Sequence, residues 1–348
     1  MPLVSETGQA SRRAVLTTIV VTLVVLAAAT ATGVYVAYRH LDHRIQAGDR
    51  IHHHAPRSHP DLPDSALNIL AMGSDTRQCA GCAIDKEKGE DGSDTTILIH
   101  VRDGRRSAYA ISLPRDVLVD RPDCHPEDGP VIPGARRAMF NAAYSLGGPE
   151  CTVEQVEAVT GIRIDDYVTL DMGGFKGMVD AVGGVRVHIP TEIDDHFAHI
   201  HFAAGTQTLG GVRALDYVRE RHAVGDGSDL GRLRRQQAFI ASLTRKVLSA
   251  GTLARPVRLY RFADALTGSL RTDPELARVP ALVKLATSLR HAKLTGIQFV
   301  TAPTIAFPKG DPNWGRLAFT PAASRLWRRV IRDRPLGPFG AGAITAAE

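Results

Sequence analysis

The sequence predicts an α/β domain carried behind one membrane-crossing helix, and three observations point there. Residues Ala14 to Tyr38 include no charged side chain. Beyond residue 65, short apolar runs alternate with longer stretches of helical period. The composition, 44% hydrophobic, 5% aromatic and 23% charged over 348 residues, is too apolar for a disordered chain and too polar for a polytopic membrane protein. A net charge of +5, carried mostly by arginine, is modest and supplies planar forks suited to phosphate.

The amino-terminal run comes first. Twenty-five residues at ~1.5 Å rise span roughly 37 Å, more than a bilayer's hydrocarbon core. Arg12 and Arg13 precede it and Arg39, Arg44 and Arg50 follow, so charge alone leaves the orientation open. Ala29-Thr30-Ala31 has the small residues of a signal-peptide cleavage site, and Ser11-Arg12-Arg13 weakly matches a twin-arginine signal. Uncharged sequence continues well past that point, which favours a retained anchor over a cleaved signal. The reading is then a cytoplasmic tail over 1–13, a transmembrane anchor over 14–38 and a His/Pro-rich extracytoplasmic linker over 39–65. His52, His53, His54 and His59 belong to that linker, where a solvated stalk explains them better than a metal site.

Cys79, Cys82, Cys124 and Cys151 all follow the apolar run, and an even count in an exported chain suggests disulfides. Cys124 with Cys151 is the favoured pair, followed by Cys79 with Cys82, whose C-x-x-C lacks a second copy to complete a zinc site.

Strands are expected near Leu67–Met72, Thr95–Val101, Tyr109–Leu113, Tyr167–Leu170, Val185–Ile189 and Ile297–Thr301. Thr152 with Gln155 three residues on reads as a capping box that opens a helix, and Gly161 closes it. Asp171 caps the next helix, which ends at Gly183-Gly184. A long helix follows over Leu230–Leu248, with others near Pro274–Arg290 and Pro321–Val330. An α/β domain thus extends over 66–335, and 336–348 reads as a flexible tail.

The residues with chemistry sit at strand ends, where α/β folds gather functional groups. Asp75 ends the first strand of the domain, Asp94 opens the next, and Arg115-Asp116 follow the third after a proline. In Tyr217-Val218-Arg219-Glu220-Arg221, an extended backbone would put Arg219 and Arg221 on one face, where like charges repel unless an anion lies between them. Pairing with Asp216 or Asp226 is the structural alternative. The helix from Asp229 is the sharpest clue. At ~100° per residue, Phe239, Ile240, Leu243 and Val247 form an apolar stripe that runs back through Gln236, Arg232 and Asp229, while Arg234 and Arg245 point to solvent. A buried guanidinium demands a partner or a polar cavity. Together Arg115, Arg219, Arg221 and Arg232 can grip a multi-oxygen anion, and Asp75 with Asp94 can hold a hard divalent cation such as Mg²⁺ beside it. His196, His199 and His201 cluster in a segment that fits a zinc site or, more simply, an exposed loop.

These strings, in order, resemble the LytR-CpsA-Psr family: Asn68-Ile-Leu-Ala-Met-Gly-Ser-Asp75, Gly92-Ser-Asp-Thr95, Ile111-Ser-Leu-Pro-Arg-Asp116, Phe140-Asn-Ala-Ala-Tyr144, Val179-Asp-Ala-Val-Gly-Gly184, Ala214-Leu-Asp-Tyr-Val-Arg-Glu-Arg221 and Asp229-Leu-Gly-Arg232 with Arg235-Gln236. The resemblance runs over about 66–250 and leaves no room for the extra carboxy-terminal domain of other members. It implies a three-layer α-β-α arrangement with a central mixed β-sheet, preceded by one transmembrane helix. It also implies a single-pass cell-membrane protein whose extracytoplasmic phosphotransferase domain moves a glycopolymer from a polyprenyl pyrophosphate carrier to the muramic acid 6-hydroxyl of peptidoglycan. Carried over by position, Asp75 and Asp94 are metal-binding carboxylates for Mg²⁺ or Mn²⁺. Arg115, Arg219, Arg221, Arg232 and Gln236 contact the pyrophosphate, and Asp229 orients those arginines or assists the acceptor. The family's lipid tail occupies an apolar tunnel, for which Phe175, Met178, Val179 and Val182 are candidates that ordinary core packing explains equally well.

One departure is Gly92, where the family often has Arg; Arg77 or Arg137 is a candidate replacement. Asp94 and Asp229 are both candidates for a general base. A pyrophosphate hydrolase using the same site and a noncatalytic wall-binding or regulatory protein are the rival classes. Nucleic acid is not an expected partner, since no helix combines basic with base-reading residues.

Overall fold

The computed structural model describes residues 6–53, 66–74, 92–105, 107–127, 129–196, 199–220, 229–291 and 297–345. They fall into two units, Met1–Arg44 and Ile45–Glu348. The first is one helix, α1 (Glu6–Arg44), long and apolar enough from Ala14 to cross a membrane. Its threonines keep their hydroxyls within the helix: Thr18, Thr22 and Thr30 donate to the carbonyls of Ala14, Thr18 and Leu26 at 2.8–3.0 Å. That leaves their polar groups satisfied without water.

The second unit opens with β1 (Gln46–Ala47), β2 (Leu67–Ser74), β3 (Ser93–Val101), β4 (Ala108–Leu113) and the hairpin β5 (Leu118–Arg121) and β6 (Ala135–Met139). Then come α2 (Ala142–Thr160), β7 (Asp166–Asp171), α3 (Met172–Ala181), β8 (Val185–Ile189), β9 (Ile193–Asp195), β10 (Ile200–Phe202), β11 (Gly205–Leu209) and α4 (Gly211–Arg219). The chain continues through α5 (Asp229–Leu248), α6 (Ala250–Leu253), α7 (Pro256–Thr267), β12 (Leu270–Thr272), α8 (Val279–His291) and β13 (Ile297–Thr301). It closes with β14 (Thr304–Ala306), β15 (Leu317–Phe319), α9 (Pro321–Ile331) and β16 (Ile344–Thr345).

Eight strands form the central sheet in the order β1-β12-β7-β2-β3-β4-β13-β16. It is mixed: β7 runs parallel to β2 and β13 to β4, while β2-β3 and β3-β4 are antiparallel. Both faces of these strands are buried, which is why they read as continuous apolar runs. On β4, Tyr109, Ile111 and Leu113 pack with Val153 and Val156 of α2 and Leu326, Trp327 and Val330 of α9. Ala108 and Ala110 point the other way, toward Ile240 and Ala241 of α5. A further core joins α3, α4 and α5 to β8 and β11 through Val179, Tyr217, Phe239 and Val187. The expected three layers follow from this alternation.

Every expected strand is present. Gly161 terminates α2 at φ 70°, and Asp171 caps α3 by accepting from the Gly174 N–H at 2.7 Å. Gly174 also brings α3 hard against Ser269, where a Cβ would collide with that side chain.

Four local expectations are corrected. Thr152 does not open α2: the helix starts at Ala142, kinks at Gly147-Gly148, and Thr152 donates from within it to the Gly148 carbonyl at 3.0 Å, while Gln155 donates to Phe140 at 2.7 Å. The linker expected over 39–65 is partly structural. Residues 39–44 continue α1, β1 pairs with β12, the Asp49 N–H donates to Glu150 at 3.1 Å, and His53 meets Glu157 at 3.0 Å. The remainder of that linker, including His54 and His59, lies outside the described residues. The tail expected over 336–348 carries regular structure through Thr345, since β16 pairs with β13. Arg245 is half-buried rather than a solvent residue; Arg234 is exposed as expected.

At the start of β7, burial and the neighbouring carboxylates of Asp273, Asp165 and Glu275 push the Asp166 carboxyl up to about 7. Between the usual carboxylate range and pH 7 the folded state therefore holds a proton that the unfolded state has lost, and stability falls as pH rises through that window. Asp166→Asn removes the effect. Its melting temperature should exceed that of the wild type at pH 8, with the gap closing by pH 4–5.

Candidate active site

The site forms where β2 ends, β3 begins and α5 crosses above them. Asp94 is the second residue of β3 and follows Ser93, which pairs with Ser74 at a bulge in β2. The Asp94 carboxylate accepts a short hydrogen bond from Arg115, which follows Pro114 at the end of β4. Its other oxygen lies 3.6 Å from Nη1 of Arg232. The Arg232 guanidinium also donates from Nη2 to the Asp94 carbonyl at 3.4 Å. Arg232 is only 1% exposed, so a charge partner is obligatory there, and Asp94 supplies it. Asp116 extends the network, with Arg115 Nε at 3.6 Å and Arg316 Nη1 at 3.1 Å.

One turn along α5, Gln236 accepts from Thr95 at 3.2 Å and donates to the Val218 carbonyl at 3.2 Å, tying α5 to β3 and α4. Gln237 fixes the helix to the sheet by donating to Ser112 at 2.9 Å and Thr301 at 3.0 Å. Arg219 ends α4 and acts on Asp216: burial raises that carboxyl's pKa, and Arg219, then Arg213 and Lys176, oppose the rise.

Of these residues Asp94, Thr95, Val218, Arg219, Arg232 and Gln236 border a cavity of about 320 Å³, while Arg115 stands behind Asp94 and is not among its lining residues. At one end stand Ser74, Asp94, Thr95, Arg219, Arg232 and Gln236. At the other, the walls are apolar: Phe239, Ile240 and Leu243 from α5, then Leu215 and Val218 from α4. Phe175 and Met178 of α3 and Ile97, Val168 and Leu170 of the sheet add further apolar wall, and Asp171, which pairs with Ser74, also lines the cavity. Arg232 and Leu243 are eleven residues apart on one helix, about 16 Å along its axis. The cavity thus suits a ligand with an anionic head and a long apolar tail.

The stripe expected on α5 is found, with Arg232, Gln236, Phe239, Ile240 and Leu243 all facing the cavity. Arg219 reaches it by a different route from the one expected. Residues 217–219 are helical, so Leu215, Val218 and Arg219 share a face at i, i+3 and i+4 rather than alternating as in a strand. Phe175 and Met178 line the cavity, whereas Val179 and Val182 are core residues. Asp75, Arg77, Cys79, Cys82 and Arg221 lie outside the described residues, as does the side chain of Asp229, which begins α5. Arg137, the other candidate for the place of Gly92, lies over the Phe307 ring, 5.7 Å from its centroid, and is not among the residues lining the cavity. Leu215, Val218, Leu266 and Leu270 were not anticipated. The helical spacing from Leu215 to Arg219 was the one available signal.

His196 and His201 sit on the exposed β9–β10 hairpin, 3.5 Å and 3.9 Å from Asp194. Among the described residues no group of three or more His, Cys, Asp or Glu could hold a metal ion, so the histidines form a surface turn and not a zinc site.

The model of the LytR_cpsA_psr family matches residues 34–316. The cell wall biosynthesis protein LcpA of Corynebacterium glutamicum is 34% identical over 282 residues, 74% of this chain and 53% of that protein. The polyisoprenyl-teichoic acid–peptidoglycan teichoic acid transferase TagV of Bacillus subtilis is 29% identical over 242 residues, 67% of this chain and 56% of that protein. The chain therefore spans about half the length of these curated relatives. Among solved structures, the LytR-Csp2A-Psr enzyme from Actinomyces oris superposes with a TM-score of 0.62 at 20% identity, covering 82% of this chain and 96% of that one, a likeness of fold. Since the family match covers most of the chain, including each strand and helix that borders the cavity, the protein belongs to the LytR-CpsA-Psr family.

Proposed function

We propose that the protein is a membrane-anchored phosphotransferase that moves a glycopolymer from a polyprenyl pyrophosphate carrier to the muramic acid 6-hydroxyl of peptidoglycan. The observation that carries this reading is the two-ended cavity, with guanidinium groups at one end and an apolar channel at the other. A prenyl chain fits the apolar end, and a diphosphate fits the forks of Arg115, Arg219 and Arg232. The relatives' names, a cell wall biosynthesis protein and a teichoic acid transferase, support the same class of substrate.

In the proposed reaction the acceptor hydroxyl oxygen bonds to the phosphorus that bears the glycan. The bond from that phosphorus to the bridging oxygen breaks, and the lipid leaves as its monophosphate. The hydroxyl proton passes to a carboxylate, Asp94 or Asp229. Arg115, Arg219 and Arg232 stabilise charge growing on the leaving phosphate. Gln236 holds Thr95 and α4 in register beside it, and Arg221 adds to the grip. Asp94 offers the hard oxygen that Mg²⁺ or Mn²⁺ requires, and Asp75 follows Ser74, the partner of Ser93 in the ladder. These two carboxylates would hold the ion, which when bound neutralises phosphoryl oxygens. Treatment with EDTA should stop transfer, and Mg²⁺ or Mn²⁺ should restore it.

On this reading the catalytic domain lies outside the cytosol. Cys124 and Cys151 support this, since their sulfurs meet as a disulfide with Cα atoms 5.3 Å apart, across 27 residues of sequence. Both thiols should resist alkylation in protein taken from cells. Cys151→Ser should cost about 3–4 kcal/mol of unfolding free energy, as closure of such a loop implies.

The test of function is incubation of the full chain in detergent with a carrier-linked glycan, with and without peptidoglycan. Glycan joined to muramic acid through phosphate, formed only with acceptor, is expected. Cleavage by water at the same rate without joining would make the protein a hydrolase, and binding without turnover would make it a wall-binding protein.

A further inference from the structure

A second cavity, of about 780 Å³, lies on a different face of α5. The helix presents Arg232, Gln236, Phe239, Ile240 and Leu243 to the first cavity, and Ala238, Ala241, Ser242, Arg245 and Lys246 to the second. At ~100° per residue the two sets are centred well over a right angle apart. The opposite wall comes from β8 and β11. Val185, Val187 and Ile189 alternate inward to the core, which leaves Arg186 and His188 on the outer face, with Thr206 across the ladder from His188.

The charge in this cavity has one sign. Arg186, Arg245 and Lys246 are permanent cations, His188 adds an imidazole, and among the described residues no carboxylate lines the wall. Nε of Arg245 is buried and has no hydrogen-bond partner among the described residues. Gathering like charges in a concavity costs free energy, and a bound anion relieves that cost. The hydroxyls of Thr206, Ser242 and Ser249 border the same space, which is too large for one phosphate and within the range of pockets that hold small organic ligands. Val187, Ala238, Ala241 and Ile344 complete the lining.

We propose that this cavity is a binding site for a phosphate-bearing saccharide. Arg186, Arg245 and Lys246 take the phosphate oxygens, and Thr206 and Ser242 take sugar hydroxyls. The site shares no lining residue with the first cavity, so it stands or falls by binding alone, independently of the transfer reaction.

The test is calorimetric titration of the full chain in nonionic detergent with glucose 6-phosphate, inorganic phosphate, glucose, and phosphatidylglycerol vesicles. Glucose 6-phosphate should bind more tightly than inorganic phosphate, and glucose should not bind measurably. Arg186→Gln/Arg245→Gln should weaken the sugar phosphate by about tenfold or more, the size expected for lost charge-assisted hydrogen bonds. Arg219→Gln, at the first cavity, should leave that affinity unchanged. Arg186 is exposed, so Arg186→Gln alone keeps the test valid if the double variant unfolds early. The proposal is overturned by no detectable binding, by equal affinity for inorganic phosphate, by affinity that follows Arg219 instead, or by Arg186-dependent binding of vesicles alone.

Discussion

Asp94→Ala should abolish transfer and destabilise the fold, whereas Arg219→Ala should abolish transfer and leave the fold nearly unchanged. The difference lies in what each side chain leaves behind. Asp94 is the counter-charge of Arg232, which is 1% exposed, and it also receives Arg115. Removing it strands a buried guanidinium, a loss of about 3–5 kcal/mol in comparable pairs. Asp94→Asn keeps the shape and an acceptor oxygen, so it should recover part of that stability without recovering activity. Arg219 ends a helix and is partly exposed, so its removal should cost less than about 1 kcal/mol. In both variants transfer should fall about a hundredfold to a thousandfold or more, the usual effect of removing one group that stabilises developing charge. Transfer rates and denaturant melts on the same preparations check the pair. Full activity in either variant would reject the role given to that position.

Filling the apolar end should separate lipid binding from phosphate binding. Leu243 is half-buried and lines the cavity about 16 Å along α5 from Arg232. Leu243→Trp places an indole where the account puts the prenyl chain, and transfer should drop by at least about tenfold, in line with losing several buried methylenes. Inorganic pyrophosphate should bind as before, because the polar end is untouched. Leu243→Ala widens the same end and should keep most of the activity. Equal losses for prenyl pyrophosphate and inorganic pyrophosphate would mean that the indole distorts the helix rather than filling the channel.

Legibility followed the range of the forces involved. The strands were readable because both sheet faces are buried, so that β2, β3 and β4 each carry an apolar run, Ile69–Met72, Ile97–Ile99 and Ala108–Ile111. Gly161 and Asp171 were readable because caps are satisfied within a few residues. The α5 stripe was readable because Arg232 and Gln236 break an apolar period on a face that must be buried, and that conflict has one simple resolution, a polar cavity. What depends on distant partners was not readable. The edge pairing of β1 with β12 and of β16 with β13 needs strands far off in sequence. The segment up to Arg219 has enough alternation to suggest a strand, and only packing of Leu215 and Val218 against α3 and the cavity decides for a helix. The kink at Gly147-Gly148 similarly reflects close approach, since a Cβ on Gly147 would strike the Cys151 sulfur.

The most direct measurement is a structure of the full chain bound to a nonhydrolysable polyprenyl pyrophosphate analogue. The account predicts the diphosphate between Arg115, Arg219 and Arg232, with the isoprenoid running past Phe239 to Leu243. A diphosphate bound away from these guanidinium groups, or an isoprenoid outside this channel, would contradict it.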